Sequence, residues 1–258
     1  MINASVNFSG YSIFDGSVRQ ITINGKFIIN TINQFSYTIA EKDPEFKLAL
    51  QQSDILLPDG VGITLAVKLL KKKVIHKIAG NDVHQHLLQK LNDAGGRCFY
   101  LGSSERTLNL IRMRIAKEFP NITVGTYSPP FKQLFSEEDS FKMINAVNEF
   151  GPDVLFVGMT APKQEKWIYD HKRAINSNII CAIGAVFDFY AGTVLRPSKY
   201  WQSLGMEWFG RLIKEPRRMY KRYLYYGPIF LMQLVKLKFN GRLSIPGYAP
   251  AIKRNANL

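Results

Sequence analysis

Short apolar runs alternate along this sequence with longer segments of helical periodicity, and this alternation constrains the fold more than any other feature. Continuous apolar runs are typical of strands that are buried on both faces of a sheet. Regular strand–helix alternation predicts a mostly parallel sheet covered by helices. We therefore expect an α/β, Rossmann-like domain. The predicted strands cover 21–29 (a strand or hairpin), 54–58, 97–102, 122–127, 153–158 and 178–184.

The predicted helices are placed by apolar periodicity and by residues that start or stop a helix. Pro44 interrupts one helical pattern, and Gly95 ends another. Ser136 and Asp139 match a capping box, and Pro162 is expected at the first position of its helix, where the missing N–H costs nothing. The predicted helices cover 34–52 with the break at Pro44, 61–70, 83–94, 104–119, 136–150 and 162–175.

The positive charge of the chain is concentrated near its C-terminus. The 258 residues include 34 lysines and arginines against 20 aspartates and glutamates, a formal net charge of +14. Residues 1–195 hold 21 basic and 18 acidic side chains, whereas 196–258 hold 13 basic and two acidic ones. We therefore predict a nearly neutral body at 1–195 and a basic appendage at 196–258. Such an imbalance indicates an anionic partner: nucleic acid, anionic lipid or a phosphorylated substrate.

Several classes of protein are disfavoured by the sequence. The first residues lack the basic start and apolar core of a secretory signal, and no apolar run reaches the roughly 18 residues of a membrane span. Cys98 and Cys181 lie in apolar runs, so we expect buried, reduced thiols in a cytoplasmic protein. Because metal-ligand spacing and a dinucleotide glycine fingerprint are both missing, we expect no metal and no cofactor.

Residues that directly follow the predicted strands are candidates for a site, because ligands of parallel α/β sheets bind beyond the carboxyl ends of the strands. Asp59 stands between a strand and a glycine-flanked helix start. A carboxylate there either caps the helix or serves as a general base, and the motif alone favours capping. Ser103 and Ser104 follow another strand, and they form either a phosphate cradle or an ordinary helix cap.

Two further segments combine charge with a strand end. Lys163 and Gln164 occupy the first turn of a predicted helix, whose unpaired N–H groups suit an anion. A lysine there opposes the helix dipole, which indicates a phosphate ligand unless the turn is simply solvated. Asp188 lies in an apolar, aromatic run, so it requires a partner if buried. That partner is either a ligand or a basic residue of the protein.

The basic appendage is also rich in aromatic residues. Arg217 and Lys221 are four residues apart, as are Arg218 and Arg222, so each pair adds to a basic helix face. Three interpretations stay open: a membrane-surface element, a nucleic-acid-binding element, or a helical pair whose aromatic residues pack on the body. The apolar run at 227–235 favours the membrane surface, because a nucleic-acid surface does not need it.

Several motifs occur in an order that resembles the WecG/TagA/CpsF family of bacterial glycosyltransferases. The resemblance covers the chain from about residue 20 to 235 and is specific because PDG, PKQE, FDFYAG and EWFGRLIKEPRR occur together. The matching stretches are INTINQ at 29–34, AEKDPEF at 40–46, LLPDGVGI at 56–63, KIAGND at 77–82, FYLG at 99–102, GMTAPKQEKWI at 158–168, AIGAVFDFYAG at 182–192 and LGMEWFGRLIKEPRRMYKRYL at 204–224.

The resemblance implies a role for individual residues. Asp59 matches the family's proposed catalytic base. Lys77 stands where arginine is common in the family. Lysine keeps the positive charge but lacks the guanidinium group, which can donate two parallel hydrogen bonds to one anion. The other implied substrate-binding residues are Thr31 and Asn33 in the sugar pocket, Gln164 at a substrate contact, Asp188 in the nucleotide pocket, and Arg211, Arg217 and Arg218 in the appendage.

The resemblance also implies an activity. It is that of an inverting, metal-independent glycosyltransferase that moves a sugar, of N-acetylhexosamine or hexose type, from a UDP-sugar to a polyprenyl-diphosphate-linked sugar. Such reactions build cell-wall, capsular and exopolysaccharide polymers. We expect a cytoplasmic protein that is peripheral on the inner face of the membrane. The expected partners are an anionic membrane surface and a second copy of the chain, without nucleic acid. The alternative is a non-catalytic basic protein that binds membranes or nucleic acid.

Overall fold

The computed structural model describes residues 4–194, 209, 212 and 216–243, with side chains except at Arg217, Arg218 and 240–243. The chain forms one eight-stranded sheet in an α/β fold. The strands are β1 (Ser5–Phe8), β2 (Tyr11–Phe14), β3 (Phe27–Ile32), β4 (Ile55–Pro58), β5 (Arg97–Gly102), β6 (Thr123–Tyr127), β7 (Val154–Gly158) and β8 (Ile179–Ala182). Their spatial order is β1-β2-β4-β3-β8-β7-β5-β6. Among the described residues, only the β1–β2 hairpin is antiparallel, so the predicted, mostly parallel sheet is confirmed.

Helices connect the parallel strands and cover the sheet. The helices of the body are α1 (Gln34–Ala40), α2 (Pro44–Gln51), α3 (Val61–Lys71), α4 (Gly80–Ala94), α5 (Glu105–Glu118), α6 (Glu137–Phe150), α7 (Lys163–His171) and α8 (Ala185–Ala191). In the C-terminal segment, α9 (Pro216–Tyr220) continues through a π-helical turn (Lys221–Tyr225) into α10 (Tyr226–Leu243).

Alternate residues of each strand face opposite layers of helices, as the period of two in a strand requires. In β4, Ile55 and Leu57 join the core cluster beneath α4, α5 and α8. Leu56 instead joins the cluster beneath α1, α2, α3 and α10. A third cluster, on the same side as Leu56, packs α6 and α7 against β5, β7 and β8. The sheet is therefore buried on both faces, which accounts for the continuous apolar runs.

The structure differs from the predicted elements at a few places. The β1–β2 hairpin was not predicted; it turns at Ser9 and Gly10, which both have positive φ angles (52° and 86°), as tight hairpin turns require. The early strand begins at Phe27 rather than residue 21. Helix α4 begins three residues earlier than predicted, α7 ends at His171, and Pro162 is the N-cap residue rather than the first helical residue.

The C-terminal segment packs against the body through aromatic rings. The Tyr226 and Phe35 rings lie 5.0 Å apart edge to face, and the Phe230 and Tyr37 rings lie 5.6 Å apart. The interpretation that appendage aromatics pack on the body is therefore confirmed for Tyr226 and Phe230. The predicted boundary at residue 195 lies outside the described residues and stays a prediction.

Candidate functional site

A cavity of about 750 Å³ lies at the carboxyl edge of the parallel sheet. Residues that follow six of the strands line it, as expected for a parallel α/β sheet. They include Asn33 after β3, Asp59 after β4, Ser103 after β5, Ser128 after β6, Met159 after β7 and Gly184 after β8. The predicted strand ends therefore line one cavity.

Six of the nine predicted site residues line this one cavity, although they come from distant parts of the chain. Arg211 lies outside the described residues, as do the side chains of Arg217 and Arg218. The six residues that line the cavity are Thr31, Asn33, Asp59, Lys77, Gln164 and Asp188. Their chemical roles stay predictions.

Asp59 is held at the cavity by backbone hydrogen bonds on both sides. Its own N–H donates to the Ile32 carbonyl at 2.9 Å, and the neighbouring Pro58 carbonyl accepts from the Ile78 N–H at 3.0 Å. The second bond draws the segment that carries Lys77 to the end of β4. The N-cap of α3 is Gly60 (φ 123°), so Asp59 lies one residue before the cap position.

Thr31 and Asn33 reach the cavity from the end of β3. Thr31 lies opposite Leu57 in the β3–β4 ladder. Asn33 is the N-cap of α1, where its Oδ1 accepts from the N–H groups of Phe35 and Ser36, each at 3.0 Å. Because the oxygen is used for capping, a ligand contact by Asn33 would come from its Nδ2.

Gln164 and Glu165 form a buried polar pair in the first turn of α7, with 4% and 2% of their surface exposed. Gln164 Oε1 accepts from the Met159 N–H at 3.1 Å, and Nε2 donates to Glu165 Oε1 at 2.8 Å. Gln164 therefore positions the loop after β7 as well as lining the cavity. Met159 also explains why residue 184 is glycine, because a Cβ there would collide with the Met159 carbonyl oxygen.

Glu165 lines the cavity but was not predicted from the sequence. Burial raises the pKa of its carboxyl to about 7, and hydrogen bonding from Gln164 and the charge of Arg222 only partly oppose this. Within the described part of the chain, its Oε2 is buried without a hydrogen-bond partner. The cavity thus contains a carboxyl group that holds its proton close to neutral pH.

Lys163, the first residue of α7, lines the cavity but is not simply solvated. Its Nζ donates to the Lys132 carbonyl at 2.7 Å and lies 4.3 Å from the centre of the Phe135 ring. Burial lowers the pKa of this ammonium group. The interpretation as a solvated helix start is therefore wrong, and a phosphate ligand stays a prediction.

Six helices begin at the cavity, so their partly positive N-terminal ends converge on it. Such ends suit phosphate groups because their N–H groups are unpaired. Ser104 caps α5 by accepting from the Thr107 N–H at 3.3 Å, which confirms the cap interpretation, although both Ser103 and Ser104 also line the cavity. The first residues of these helices are Gln34, Val61, Gly80, Glu105, Lys163 and Ala185.

The C-terminal segment contributes Arg222 and Tyr223 to the wall of the cavity. The Arg222 guanidinium carbon lies 4.4 Å from the centre of the Phe35 ring, within the range of a cation–π contact. The sequence placed Arg222 on the basic face with Arg218, but it did not indicate that the side chain reaches the cavity. The part of the appendage that is described therefore completes one side of the site.

The histidines and the thiols have structural surroundings. His84 is fully buried, with Nε2 at 2.6 Å from the Tyr100 hydroxyl, and burial lowers its pKa to about 3. Cys98 and Cys181 are buried free thiols, as predicted.

Over residues 4–194, 209, 212 and 216–243, no group of three or more His, Cys, Asp and Glu side chains is arranged to hold a metal ion. None of the helices in these ranges is both long and apolar enough to cross a bilayer.

A parallel sheet whose carboxyl edge holds a cavity ringed by helix N-termini defines an α/β protein with a cavity that suits phosphorylated ligands. The chain belongs to the WecG/TagA/CpsF family of glycosyl transferases, because the sequence model of that family matches residues 6–244. The resemblance seen in the motifs is thus confirmed. Membership also favours an enzyme over the non-catalytic alternative.

Similar proteins of three bacteria carry the same name. A protein of Bacillus subtilis (strain 168) is 30% identical over 85% of this chain and 83% of its own length. A protein of Bacillus spizizenii is 27% identical over 75% and 73%, and one of Staphylococcus aureus (strain MW2) is 25% identical over 83% and 82%. Each is named N-acetylglucosaminyldiphosphoundecaprenol N-acetyl-beta-D-mannosaminyltransferase.

Proposed function

We propose that this chain is an inverting glycosyltransferase that moves N-acetylmannosamine, or a closely related N-acetylhexosamine, from a UDP-sugar to a polyprenyl-diphosphate-linked N-acetylglucosamine. The observation that carries the proposal is the convergence of Asp59, Lys77, Gln164 and Asp188 on one cavity. The choice of sugars rests on the shared name of the relatives, which the chain matches along most of its length.

Asp59 is the general base of the proposed reaction. Its carboxylate takes the proton of the acceptor hydroxyl as the acceptor oxygen attacks the anomeric carbon. The bond from this carbon to the UDP oxygen breaks on the opposite face, and UDP leaves with the electron pair. One displacement therefore inverts the anomeric centre. A positioned base typically accelerates such a step by about 10²–10⁴-fold.

The negative charge that develops on the leaving diphosphate is met by fixed positive groups around the cavity. Helix N-termini provide N–H donors, and Lys77 and Arg222 contribute formal charge. These groups are in place before the reaction, so little reorganisation is needed as charge develops. We propose on this basis that the enzyme does not depend on a metal ion. Arg211, Arg217 and Arg218 are proposed to add to the same charge.

The two substrates are proposed to occupy different parts of the cavity. The nucleotide lies near Asp188 on α8, and the donor sugar lies near Thr31 and Asn33, which places its anomeric carbon within reach of Asp59. The acceptor is bound to a lipid and stays at the bilayer, so the enzyme works as a peripheral protein on the membrane surface. The boundary between a catalytic body and a membrane-associating appendage near residue 195 belongs to the same proposal.

UDP release from several donors tests the proposal. The donors are UDP-N-acetylmannosamine, its uronic acid, UDP-N-acetylglucosamine and UDP-glucose, and the acceptor is a polyprenyl-diphosphate N-acetylglucosamine in vesicles. We expect acceptor-dependent UDP release with UDP-N-acetylmannosamine or one close analogue. The same release without acceptor measures hydrolysis and is the control. If no donor is turned over and none binds, the proposed function is wrong.

A further inference from the structure

Helix α3 is apolar on both its inner and its outer face. Ile63, Ala66 and Val67 are buried against the core, as expected for a helix on a sheet. Leu65 and Leu69, one turn apart on the opposite face, are 53% and 54% exposed. A helix of a globular protein normally carries polar residues on its outer face, and one that is apolar all round normally has a second apolar environment.

Helix α10 has the same pattern. Phe230 and Leu234 are buried against the body. Leu231, Val235 and Phe239 repeat every four residues on the outer face and are 60%, 53% and 58% exposed. Because the spacing of four places these three side chains in one row, they form a continuous apolar stripe rather than scattered exposed residues.

Helices α3 and α10 contact each other on the same side of the sheet, so their exposed apolar rows belong to one surface region. Buried residues of both join the same core cluster on one side of the sheet, and Leu70 of α3 and Leu237 of α10 are half-buried against that cluster. We call the combined outer surface the α3–α10 face. It consists of Val61, Leu65, Leu69, Leu231, Val235 and Phe239.

Exposed lysines surround the apolar residues of the α3–α10 face. Lys68, Lys71 and Lys72 lie at the C-terminal end of α3, and Lys236 and Lys238 lie on α10. The neighbouring Lys73 is paired with Asp15. Apolar rows bordered by cationic side chains are complementary to a bilayer with anionic headgroups, because the rows enter the acyl boundary while the lysines stay at the phosphates.

We propose that α3, a helix of the catalytic body, extends the bilayer contact of the appendage, so that the whole α3–α10 face lies against the membrane. A second copy of the chain fits the face less well. A symmetric dimer would bring the lysines of one copy against those of the other, and lysine is depleted in protein–protein interfaces. Anionic lipid places opposite charge at the same positions.

The position of Val61 connects this face to the cavity. Val61 begins the outer row of α3, and it also lines the cavity directly after Asp59 and Gly60. A bilayer in contact with α3 is therefore adjacent to the mouth of the site. If the proposed function holds, a lipid-linked acceptor reaches Asp59 along α3 while its chain stays in the membrane. The membrane contact itself does not depend on the reaction.

The test is vesicle co-sedimentation of the full chain with a double substitution, Leu65→Glu with Leu69→Glu. Both side chains are exposed and lie outside the cavity, so the fold and the site are retained. Vesicles of phosphatidylglycerol with phosphatidylethanolamine are compared with vesicles of phosphatidylcholine. The matched control is Met113→Glu with Phe141→Glu, two residues on other helices that are 71% and 64% exposed.

We expect the double substitution in α3 to weaken binding to the anionic vesicles by about tenfold or more, through lost apolar contact and added repulsion. The control should bind as the unsubstituted protein does. Equal binding by the α3 variant and the control overturns the proposal. A concentration-dependent dimer that the α3 variant abolishes, without a change in vesicle binding, also overturns it and assigns the face to a second copy.

A second measurement separates this proposal from the proposed function. Activity is measured on a short-chain, water-soluble acceptor and on a long-chain acceptor in vesicles. We expect the α3 variant to keep the first activity and to lose most of the second. If the unsubstituted protein is inactive on both acceptors, the proposed function fails, and the vesicle-binding comparison still decides the role of α3.

Discussion

Gln164 Nε2 lies 2.8 Å from Glu165 Oε1, so one buried side chain amide donates to the neighbouring buried carboxyl. The same amide accepts from the Met159 N–H through its oxygen. Gln164 therefore links the loop after β7 to a carboxyl group in the wall of the cavity. Because both side chains are almost completely buried, water does not readily replace either hydrogen bond when it is lost.

Glu165 should make stability depend on pH. Burial raises the pKa of Glu165 from its ordinary value of 4.5 to about 7, so between these values the folded protein keeps a proton that the unfolded chain has lost. The free energy of unfolding from this group therefore decreases as pH rises through that window, and it levels off above about 7. The full change is of order 3 kcal/mol.

Glu165→Gln keeps the shape of the side chain and replaces the titratable carboxyl group by an amide that does not titrate. We expect denaturant unfolding of this variant to be nearly independent of pH across the window where the unsubstituted protein loses stability. Glu149→Gln, at an exposed position on α6, is the control and should leave the slope unchanged. An equal slope in the Glu165→Gln variant and the unsubstituted protein would show that the carboxyl titrates normally.

Loss of the Gln164 amide should destabilise the protein. Gln164→Ala leaves the Met159 N–H and the Glu165 carboxyl without this partner in a buried place, at a cost of about 1–3 kcal/mol. Each kcal/mol corresponds to about 2–4 °C in Tm for a chain of this size. Calorimetry measures the change. Gln89→Ala, which removes an exposed bond to Asp93, is the matched control and should shift Tm little. A Gln164→Ala protein as stable as this control would contradict the account.

Phe35 should control how firmly the C-terminal segment is docked. Phe35→Ala removes an edge-to-face contact with Tyr226 and a cation–π contact with Arg222, together of order 1–2 kcal/mol. We expect amide hydrogen exchange across 221–234 to accelerate by about 5–30-fold. Phe141→Ala, at an exposed position on α6, should leave these rates unchanged. Unchanged exchange in the Phe35→Ala variant would show that other contacts hold the segment.

Lys77 is predicted to bind the donor through its charge. Lys77→Met should lower kcat/KM for the UDP-sugar by about 10–100-fold, because a charge-assisted hydrogen bond contributes about 1.5–3 kcal/mol. Lys77→Arg retains the charge and should keep most of the activity. Steady-state kinetics with varied donor measures both variants. Equal kcat/KM in the Lys77→Met and unsubstituted proteins would remove Lys77 from the donor site.

The sequence predicted the sheet and the edge that holds the site because both depend on local signals. Apolar runs mark strands that are buried on both faces, and each run is followed by a polar or glycine-rich turn. The rule that ligands bind beyond the strand ends then selected Asp59 and Gln164, and both line the cavity. The motifs shared with the family supplied Thr31, Asn33 and Lys77, which a local pattern does not distinguish.

Other features of the site depend on contacts between distant segments. Glu165 follows a lysine and a glutamine in an ordinary charged helix start, and only the packing of α7 against the sheet shows that its carboxyl is buried. Arg222 reaches the cavity because α10 packs on α1, which the local sequence does not indicate. The cap position of α3 is taken by Gly60 rather than by Asp59, because the backbone there adopts a positive φ of 123° that disfavours residues other than glycine.

Turnover by the Asp59→Asn variant shows whether Asp59 removes the proton of the acceptor. Initial rates are measured with saturating donor and acceptor, and binding of the UDP-sugar is measured separately by calorimetry. We expect kcat to fall by about 10²–10⁴-fold while donor affinity changes little, because asparagine keeps the shape of aspartate but is not a base. A variant that turns over at the rate of the unsubstituted protein would contradict the assignment of Asp59.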